Sequence, residues 1–440
     1  MEKKTAIVAV LAVALVAVVV AVLMTASEDG GPDMSYAEDV KVKIYGNANG
    51  DDIIDSKDIG VIEEIVRAGM PKSEWQKKYP FADADCDGEV TSADADIVTK
   101  YIGREKTRLY YQDFFGETAY VNYPLGDKVG VDMTYTAQFM GCVGAYDKIV
   151  AAPAEIGYSA STTYYPDMDR WGSVGSAYSL TIESLSASGI DVFVMWSNCL
   201  LYPDMWDDAK KSSLADRISF VRVDVTEENT DSGALMLGAM FNTEKTLSTS
   251  RAYADLIGEV RQSLAAVGEK KTVVLDYFYN GATQDTTYLT GGGTTNSFWT
   301  KKTLGFAPGW DSRGNVVTSY EGIASAIASA PGSTFMCYVT TPMGMPDSEV
   351  GEWMKGQLSV LFSGLPPYET GKIWCFNEYA FAGLAAPFIS YIIGAVLGYE
   401  GFDMDRGMDM LQAFFDGFAP VKLNAKTGFV FTPEDLFRSL

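Results

Sequence analysis

The feature that most constrains this chain is a twelve-residue acidic segment that occurs twice near its N-terminus. The first copy begins at Asn47 (NANGDDIIDSKD) and the second at Asp83 (DADCDGEVTSAD), so the repeat period is 36 residues. Both copies carry oxygen-bearing side chains at positions 1, 3, 5, 9 and 12, and position 7 offers its backbone carbonyl. Calcium takes about six to eight oxygen ligands in a flexible shell, which this spacing provides from one loop of backbone. The sequence therefore predicts two calcium-binding loops.

An amphipathic helix is predicted after each loop. Counted from position 12, apolar residues fall at +3, +4, +7 and +8 in both copies, which is one face of a helix. These residues are Val61, Ile62, Ile65 and Val66, and then Ile97, Val98, Tyr101 and Ile102. The predicted calcium ligands are Asn47, Asn49, Asp51, Ile53, Asp55 and Asp58 in the first loop and Asp83, Asp85, Asp87, Glu89, Thr91 and Asp94 in the second.

A duplicated loop with one exiting helix and Asp at position 12 resembles the dockerin domain. The resemblance implies a small all-α calcium-binding module over residues 42–106, with Ca²⁺ as its cofactor and a cohesin-type protein as its partner. One departure is Asp52, which stands at position 6, where Gly normally makes the sharp turn. Asp tolerates a left-handed backbone better than most residues, and we expect the first site to be the weaker one.

The N-terminal segment is apolar enough to span a membrane. Two lysines precede 19 uninterrupted apolar residues from Ala6 to Met24, which as a helix would be about 28 Å long. We expect residues 1–26 to be an uncleaved membrane anchor with the rest of the chain outside the cell. A cleavage site ending at Ala26 would instead give a secreted protein. Residues 27–41 are acidic and contain Gly and Pro, which predicts a flexible linker.

The composition excludes several classes of function. A formal net charge of −24 argues against nucleic acid or an anionic membrane surface as partner. The five cysteines include no CxxC pair, so a disulfide framework is not expected. The chain has no histidine, which removes Ser-His-Asp and Cys-His catalysis and every metal site that needs an imidazole. Catalysis by carboxylates alone, as in glycosidases, survives this exclusion.

Residues 110–440 alternate short apolar runs with helical patterns, which predicts an α/β fold with parallel sheets covered by helices. One helical pattern, Thr246–Val267, is longer than the others and lies near the middle. We therefore expect two Rossmann-like lobes, at about 110–245 and about 271–440, joined by one long helix at about 246–267. The predicted strands are Val129–Met133, Asp191–Trp196, Phe220–Val225, Thr272–Phe278, Thr334–Val339 and Lys372–Phe376.

Five short motifs occur in order over roughly residues 112–420. They are Gln112–Gly116 with Tyr123-Pro124, Gly144–Ile149, Gly175–Val194, Ser319–Ile323, and Gly371–Trp374 with Pro387–Leu397. In order and spacing this set resembles the class III periplasmic substrate-binding proteins. The resemblance implies a non-enzymatic receptor that delivers an iron–siderophore complex, haem or cobalamin to an ABC permease. It also implies that Glu183 and Glu321, one in each lobe, dock onto arginines of that permease.

Aromatic residues follow several of the predicted strands. Ligands of open α/β sheets bind beyond the carboxyl ends of the strands, where flat rings and phenol oxygens suit a large chelate. Arg170 and Arg222 are candidate partners for an anionic chelate. The candidate ligand-binding residues are Tyr165, Arg170, Tyr178, Trp196, Tyr277, Tyr279, Tyr379 and Phe381.

The leading hypothesis is thus a membrane-anchored solute receptor at the cell surface with a calcium-binding module at its base. A second hypothesis is a calcium-dependent dockerin-type assembly or adhesion protein whose α/β domain is not a transport receptor. A third is a carboxylate-dependent glycosidase. The third is disfavoured because the predicted strands are too few for an eight-stranded barrel and no convincing pair of catalytic carboxylates occurs.

Overall fold

The structure is a computed structural model that describes residues 40–153, 164–176, 180–196, 213–278, 282–292, 299–306, 310, 313–340, 345 and 347–437. The predicted membrane segment, most of the predicted linker, Tyr178 and Tyr279 lie outside these residues. Within the described ranges, no helix has the length and apolar character needed to cross a bilayer.

The N-terminal module consists of two loops and three helices, α1 (Ser56–Ala68), α2 (Lys72–Lys78) and α3 (Ser92–Ile102). Helices α1 and α3 begin at position 10 of each loop, because the position-9 side chain caps the helix and the position-12 Asp closes a capping box. The predicted apolar face is buried at its centre but not at +8, where Val66 is 43% and Ile102 is 44% exposed. That position lies at the edge of the helical stripe, so both side chains stay open to solvent although both predicted helices form.

The module has a small core of its own and also contributes side chains to the core of the large domain. Ile44 forms a bridge with Tyr111 of a two-stranded antiparallel hairpin, β1 (Thr107–Gln112) and β2 (Thr118–Tyr123), which the sequence analysis does not predict. Tyr101 of α3 accepts hydrogen bonds at its carbonyl from the Tyr123 hydroxyl, at 2.5 Å, and from the Asn242 amide, at 2.9 Å. Val42, Ile44 and Tyr101 belong to the same hydrophobic cluster as the first lobe. Residues 40–106 therefore pack directly against the large domain.

The first lobe is built on a parallel five-stranded sheet in the order β5-β4-β3-β6-β7. Strands β3 and β6 coincide with the predicted apolar runs Val129–Met133 and Asp191–Trp196. The strand order reverses between these two strands. Such a reversal opens a crevice at the carboxyl ends of the two strands. The strands are β3 (Val129–Val131), β4 (Ile149–Ala152), β5 (Gly172–Ser173), β6 (Val192–Met195) and β7 (Ser219–Arg222), with helices α4 (Thr134–Cys142), α5 (Ile182–Ala187) and α6 (Thr230–Phe241).

One long helix, α7 (Glu244–Ala265), leads out of the first lobe, close to the predicted 246–267. It begins at a capping box between Thr243 and Thr246. Its buried stripe includes Tyr253, Ile257 and Val260, and this stripe is the periodic apolar face that predicts the helix.

The second lobe contains a seven-stranded sheet in the order β11-β9-β8-β12-β13-β14, with β10 paired to β8. Strands β8, β12 and β13 are parallel, whereas β9 and β14 run antiparallel to their neighbours, so the expectation of a wholly parallel sheet is wrong. The β8–β9 connection is too short for a crossover helix, which leaves antiparallel pairing as the available arrangement. The strands are β8 (Thr272–Phe278), β9 (Thr287–Thr290), β10 (Gly305–Phe306), β11 (Asn315–Thr318), β12 (Thr334–Val339), β13 (Ile373–Asn377) and β14 (Val430–Phe431).

The helices of the second lobe are α8 (Tyr320–Ser329), α9 (Asp347–Phe362), α10 (Pro366–Glu369), α11 (Glu378–Phe381), α12 (Ala386–Val396), α13 (Met404–Phe418) and α14 (Pro433–Phe437). Short 3-10 turns cover Tyr146–Lys148, Met168–Arg170, Ser213–Asp216 and Thr300–Lys302. Helices α12 and α13 pack on α7, and α13 also reaches α4 of the first lobe. The approach is close, since a Cβ added at Gly141 would lie 2.2 Å from the Phe418 carbonyl oxygen. The two lobes are therefore joined by packed helices as well as by α7.

Candidate functional site

The two acidic loops close on themselves through the same hydrogen bonds. In both, the position-12 carboxylate accepts the backbone N–H groups of positions 3 and 9. In both, the position-3 side chain accepts a hydrogen bond from the backbone N–H of position 5. The position-5 carboxylate accepts one from the backbone N–H of position 7. The equivalent bonds mean that the sequence repeat is also a structural repeat, with the oxygen atoms gathered on the inside of each loop.

The donor set of these loops fits a hard cation. In the second loop, carboxylate oxygens of Asp83, Asp85 and Asp87 lie within 4.8 Å of one another. In the first, the buried Oδ1 atom of Asn47 has no hydrogen-bond partner. Burial, together with the charges of neighbouring aspartates, raises the pKa of Asp58 to about 7 and that of Asp83 to about 6. A bound calcium ion would supply the neutralising charge.

Asp52 does not adopt the left-handed conformation expected at position 6. The left-handed residue of the first loop is Gly50, at position 4, whereas the second loop has left-handed backbone at both Cys86 and Gly88. The Asp52 side chain instead bonds to Arg251 of α7, with 2.7 Å between Oδ2 and Nη1. Asp at this position is therefore explained by a contact with the linking helix rather than by the turn.

On the first lobe, the crevice between β3 and β6 is lined by Trp196, Asp132 and Tyr135. The Trp196 backbone N–H donates to Asp132 Oδ2 at 2.7 Å, and its indole N–H donates to Thr226 Oγ1 at 2.8 Å. The Tyr135 ring lies 5.9 Å from the Trp196 ring, centroid to centroid. Trp196 is only 7% exposed, so little of its side chain is open to a ligand.

The two lobes meet at a stacked pair of tyrosines. The Tyr164 ring of the first lobe lies 4.3 Å from the Tyr379 ring of the second, at an interplanar angle of 23°. The Asn377 amide donates to the Tyr164 hydroxyl at 3.2 Å, and the Leu384 N–H donates to Gln138 Oε1 of α4 at 3.0 Å. Tyr379 thus packs across the boundary on the first lobe, whereas Trp196 packs on Tyr135 within the first lobe.

The second lobe contributes a column of three rings and a carboxylate. Tyr277 stacks on Tyr338 at 4.6 Å, and Tyr338 stacks on Phe381 at 4.4 Å. The Tyr277 hydroxyl hydrogen-bonds Thr340 Oγ1 at 2.8 Å and donates to Glu378 Oε1 at 3.4 Å. Thr340 Oγ1 also donates to Glu378 Oε2. Burial raises the pKa of Glu378.

Several side chains predicted to bind the ligand are buried or form bonds to other residues. Phe381 and Tyr165 are fully buried, and Tyr165 donates to the Thr134 carbonyl at 3.1 Å. Arg222 is buried in an ion pair with Asp113 at 2.5 Å, beneath the Phe115 ring. Arg170 is exposed and pairs with Asp167 at 3.1 Å.

Three residues of the cleft were not predicted from the sequence: Tyr135, Tyr338 and Glu378. Glu378 directly follows β13 and Tyr135 lies four residues after the end of β3, and this closeness to strand ends is the signal that could have identified them. Tyr338 lies inside β12, and only its stacking on Tyr277 in the structure connects it with the site.

The two predicted docking glutamates occupy equivalent positions. Glu183 is the second residue of α5 and Glu321 the second residue of α8, each just after a Thr or Ser N-cap. Both are exposed, and a hydrogen bond from the Ser319 hydroxyl lowers the pKa of Glu321. Each helix follows a strand of its lobe, so both N-termini lie at the carboxyl edges of the sheets, where the cleft opens.

No family model and no curated relative matches this chain. Among solved structures it is similar to a periplasmic solute-binding protein of Veillonella parvula, with 16% identity and a TM-score of 0.51 over 72% of this chain and 94% of that one. It is also similar to the TroA-like periplasmic binding protein FepB of Veillonella parvula, with 12% identity and a TM-score of 0.56 over 73% and 99%. A third is MolA, the molybdate-binding protein of a Haemophilus influenzae ABC transporter, with 15% identity and a TM-score of 0.50 over 72% and 99%.

The large domain therefore has the fold of periplasmic solute-binding proteins. These three structures are all described as periplasmic binding proteins, the class that the sequence analysis predicts for this chain.

Proposed function

We propose that this protein is an extracellular solute-binding receptor that delivers a metal chelate, either an iron–siderophore complex, haem or cobalamin, to an ABC importer. The observation that carries the proposal is the boundary between the lobes, where aromatic side chains of both lobes meet near the carboxyl ends of their strands. Tyr135 and Trp196 come from one lobe, and Tyr277 and Tyr379 from the other. Such a crevice suits a ligand with extended flat surfaces.

The remaining features complete this proposal. The apolar residues from Ala6 to Met24 would hold the receptor at the membrane, and Glu183 and Glu321 would present one carboxylate per lobe to the permease. The two acidic loops would bind calcium and stabilise the base of the first lobe.

The second candidate, a dockerin-type assembly protein, is favoured by one observation. Ile53, Val66 and Ile102 are large apolar residues of the module that stay more than two-fifths exposed. A cohesin-type partner could cover them, and the same chain could serve both roles, because these side chains lie outside the shared core.

The test is a ligand screen on the soluble part of the chain, residues 27–440, which keeps the module that shares the core of the first lobe. Ferric siderophores, haem and cobalamins are titrated while tryptophan fluorescence is recorded. We expect one chelate class to bind with saturable quenching, because Trp196 borders the cleft. Tyr379→Ala should weaken that binding, whereas Tyr368→Ala, at an aromatic contact outside the cleft, should leave it unchanged. Absence of binding by every chelate would overturn the proposal.

A further inference from the structure

Glu378 is a carboxylate at the boundary between the lobes that lacks a cationic partner. It begins α11, directly after β13, and its two oxygens accept hydrogen bonds from Thr340 and Tyr277. Among the residues that the structure describes, no Lys or Arg forms an ion pair with it, although twelve such pairs occur elsewhere. A buried carboxylate without a counter-charge is unfavourable, so a ligand that brings positive charge would be stabilised here.

The groups around Glu378 suit a cation. Tyr135, from the opposite lobe, lies near enough that burial and then the charge of Glu378 raise the pKa of its phenol. Burial, and then the charge of Glu378, likewise raise the pKa of the Tyr277 and Tyr338 phenols. Phenol rings attract cations, and phenol oxygens can accept hydrogen bonds from an ammonium group. The carboxylate is therefore surrounded by neutral groups, and the oxygens of Tyr277 and Thr340 bond to it directly.

An anionic chelate finds few partners in this part of the chain. Arg222 and Arg170, the two predicted candidates, are paired with Asp113 and Asp167. By sequence, the segments that follow β4, β8 and β12 contain no Lys or Arg over residues 154–163, 279–281 and 341–344. The segment that follows β6, residues 197–212, has two lysines against three aspartates.

We propose that the cleft selects a metal chelate that carries net positive charge, and that Glu378 is the residue that recognises this charge. The proposal rests on the receptor function proposed above and narrows its substrate class. An ammonium-bearing ferric hydroxamate and a cobalamin with an aquo ligand on cobalt are two chelates of this charge, whereas ferric catecholates and haem are anionic.

The experiment compares chelates that differ in charge but little in shape. The ferric complex of desferrioxamine B is titrated beside its neutral N-acetyl derivative, and aquocobalamin beside neutral cyanocobalamin, with a ferric tris-catecholate and haem as anions. We expect the cationic member of one pair to bind about tenfold more tightly than its neutral partner, a difference of about 1.4 kcal/mol. Glu378→Gln should abolish that preference while the melting temperature of the empty protein is kept. Glu349→Gln, an exposed acid of the same lobe, should retain it.

Each result decides between the two proposals. Three results would overturn the charge selection and leave the receptor function standing. They are equal binding within both pairs, tighter binding of an anion, and a preference for the cation that persists in Glu378→Gln. If none of the six chelates binds, both proposals are overturned. If Glu378→Gln fails to fold, Thr340→Val removes one hydrogen bond to the carboxylate and should weaken the preference.

Discussion

Arg251, near the middle of the linking helix, donates hydrogen bonds to both the carboxylate and the carbonyl of Asp52 in the first acidic loop. The Nη1–Oδ2 distance is 2.7 Å and the Nη2–O distance is 3.2 Å. The two residues are 199 positions apart in the chain, and both side chains are 30% exposed. The contact joins a predicted calcium-binding loop to the helix that also joins the two lobes.

Arg251→Ala is expected to destabilise the protein by about 1 kcal/mol, since a partly exposed ion pair with a second hydrogen bond is worth somewhat more than a surface pair. The measurement is urea unfolding followed by tryptophan fluorescence. Lys245→Ala is the matched control, because Lys245 lies on the same helix in an exposed pair with Asp147. Equal effects of the two substitutions would show that the Asp52 contact adds nothing to stability.

Calcium is expected to bind at two sites, with the second loop the tighter one. That loop places four carboxylates at side-chain ligand positions and the first loop three, and the affinity of such loops rises with ligand charge. Calorimetric titration of the full chain should show two ions bound, and Asp87→Ala should remove the tighter one. Calcium at about 100 times its Kd should stabilise the protein by about 2.7 kcal/mol.

The control for the calcium experiment is Glu64→Ala, which removes an exposed acid from α1 without touching either loop. It should leave both binding events unchanged. A melting temperature that chelator does not lower, together with no heat of calcium binding, would contradict the prediction.

Asp276 is expected to make stability depend on pH. Burial in β8 raises the pKa of this carboxyl from 3.8 to about 8, and its Oδ2 atom has no hydrogen-bond partner. The folded state therefore holds a proton that the unfolded chain releases, so stability is lost as pH rises through this window. Asp276→Asn keeps the shape without the ionisation. Its melting temperature should exceed that of the wild type at alkaline pH and approach it at acidic pH, and parallel curves would refute the assignment.

Charge reversal at the docking positions should abolish transport without affecting binding. The Glu183→Lys, Glu321→Lys double variant is expected to fold and to bind ligand normally, because both carboxylates are exposed helix-start residues. Uptake should be lost, since lysines would oppose the arginines of the permease. Glu244→Lys, at the exposed start of α7, is the control and should transport normally. If the double variant still supports uptake, the two glutamates are helix-start residues with no role in docking.

Much of the fold could be predicted because its signals are local. The six predicted strands are apolar runs bounded by polar residues, and all six occur within about three residues of their expected limits. Antiparallel β9 and β14 and the β1–β2 hairpin were not predicted. The pairing of these strands depends on which neighbouring strand edge is available. The residue pattern within a short strand carries no information about its neighbour.

The sequence by itself determined the spacing of the loop oxygens, the helices that follow them and the alternation of strands and helices, because each depends on residues a few positions apart. Only the tertiary structure decided that Asp52 bonds to Arg251, that Arg222 is paired with Asp113, and that Glu378 accepts hydrogen bonds from Tyr277 and Thr340. These outcomes join residues from separate elements, and the electrostatic state of a side chain is set by what packs around it. For this protein, the amino-acid sequence places aromatic residues at strand ends, whereas tertiary packing decides which of these residues a ligand can reach.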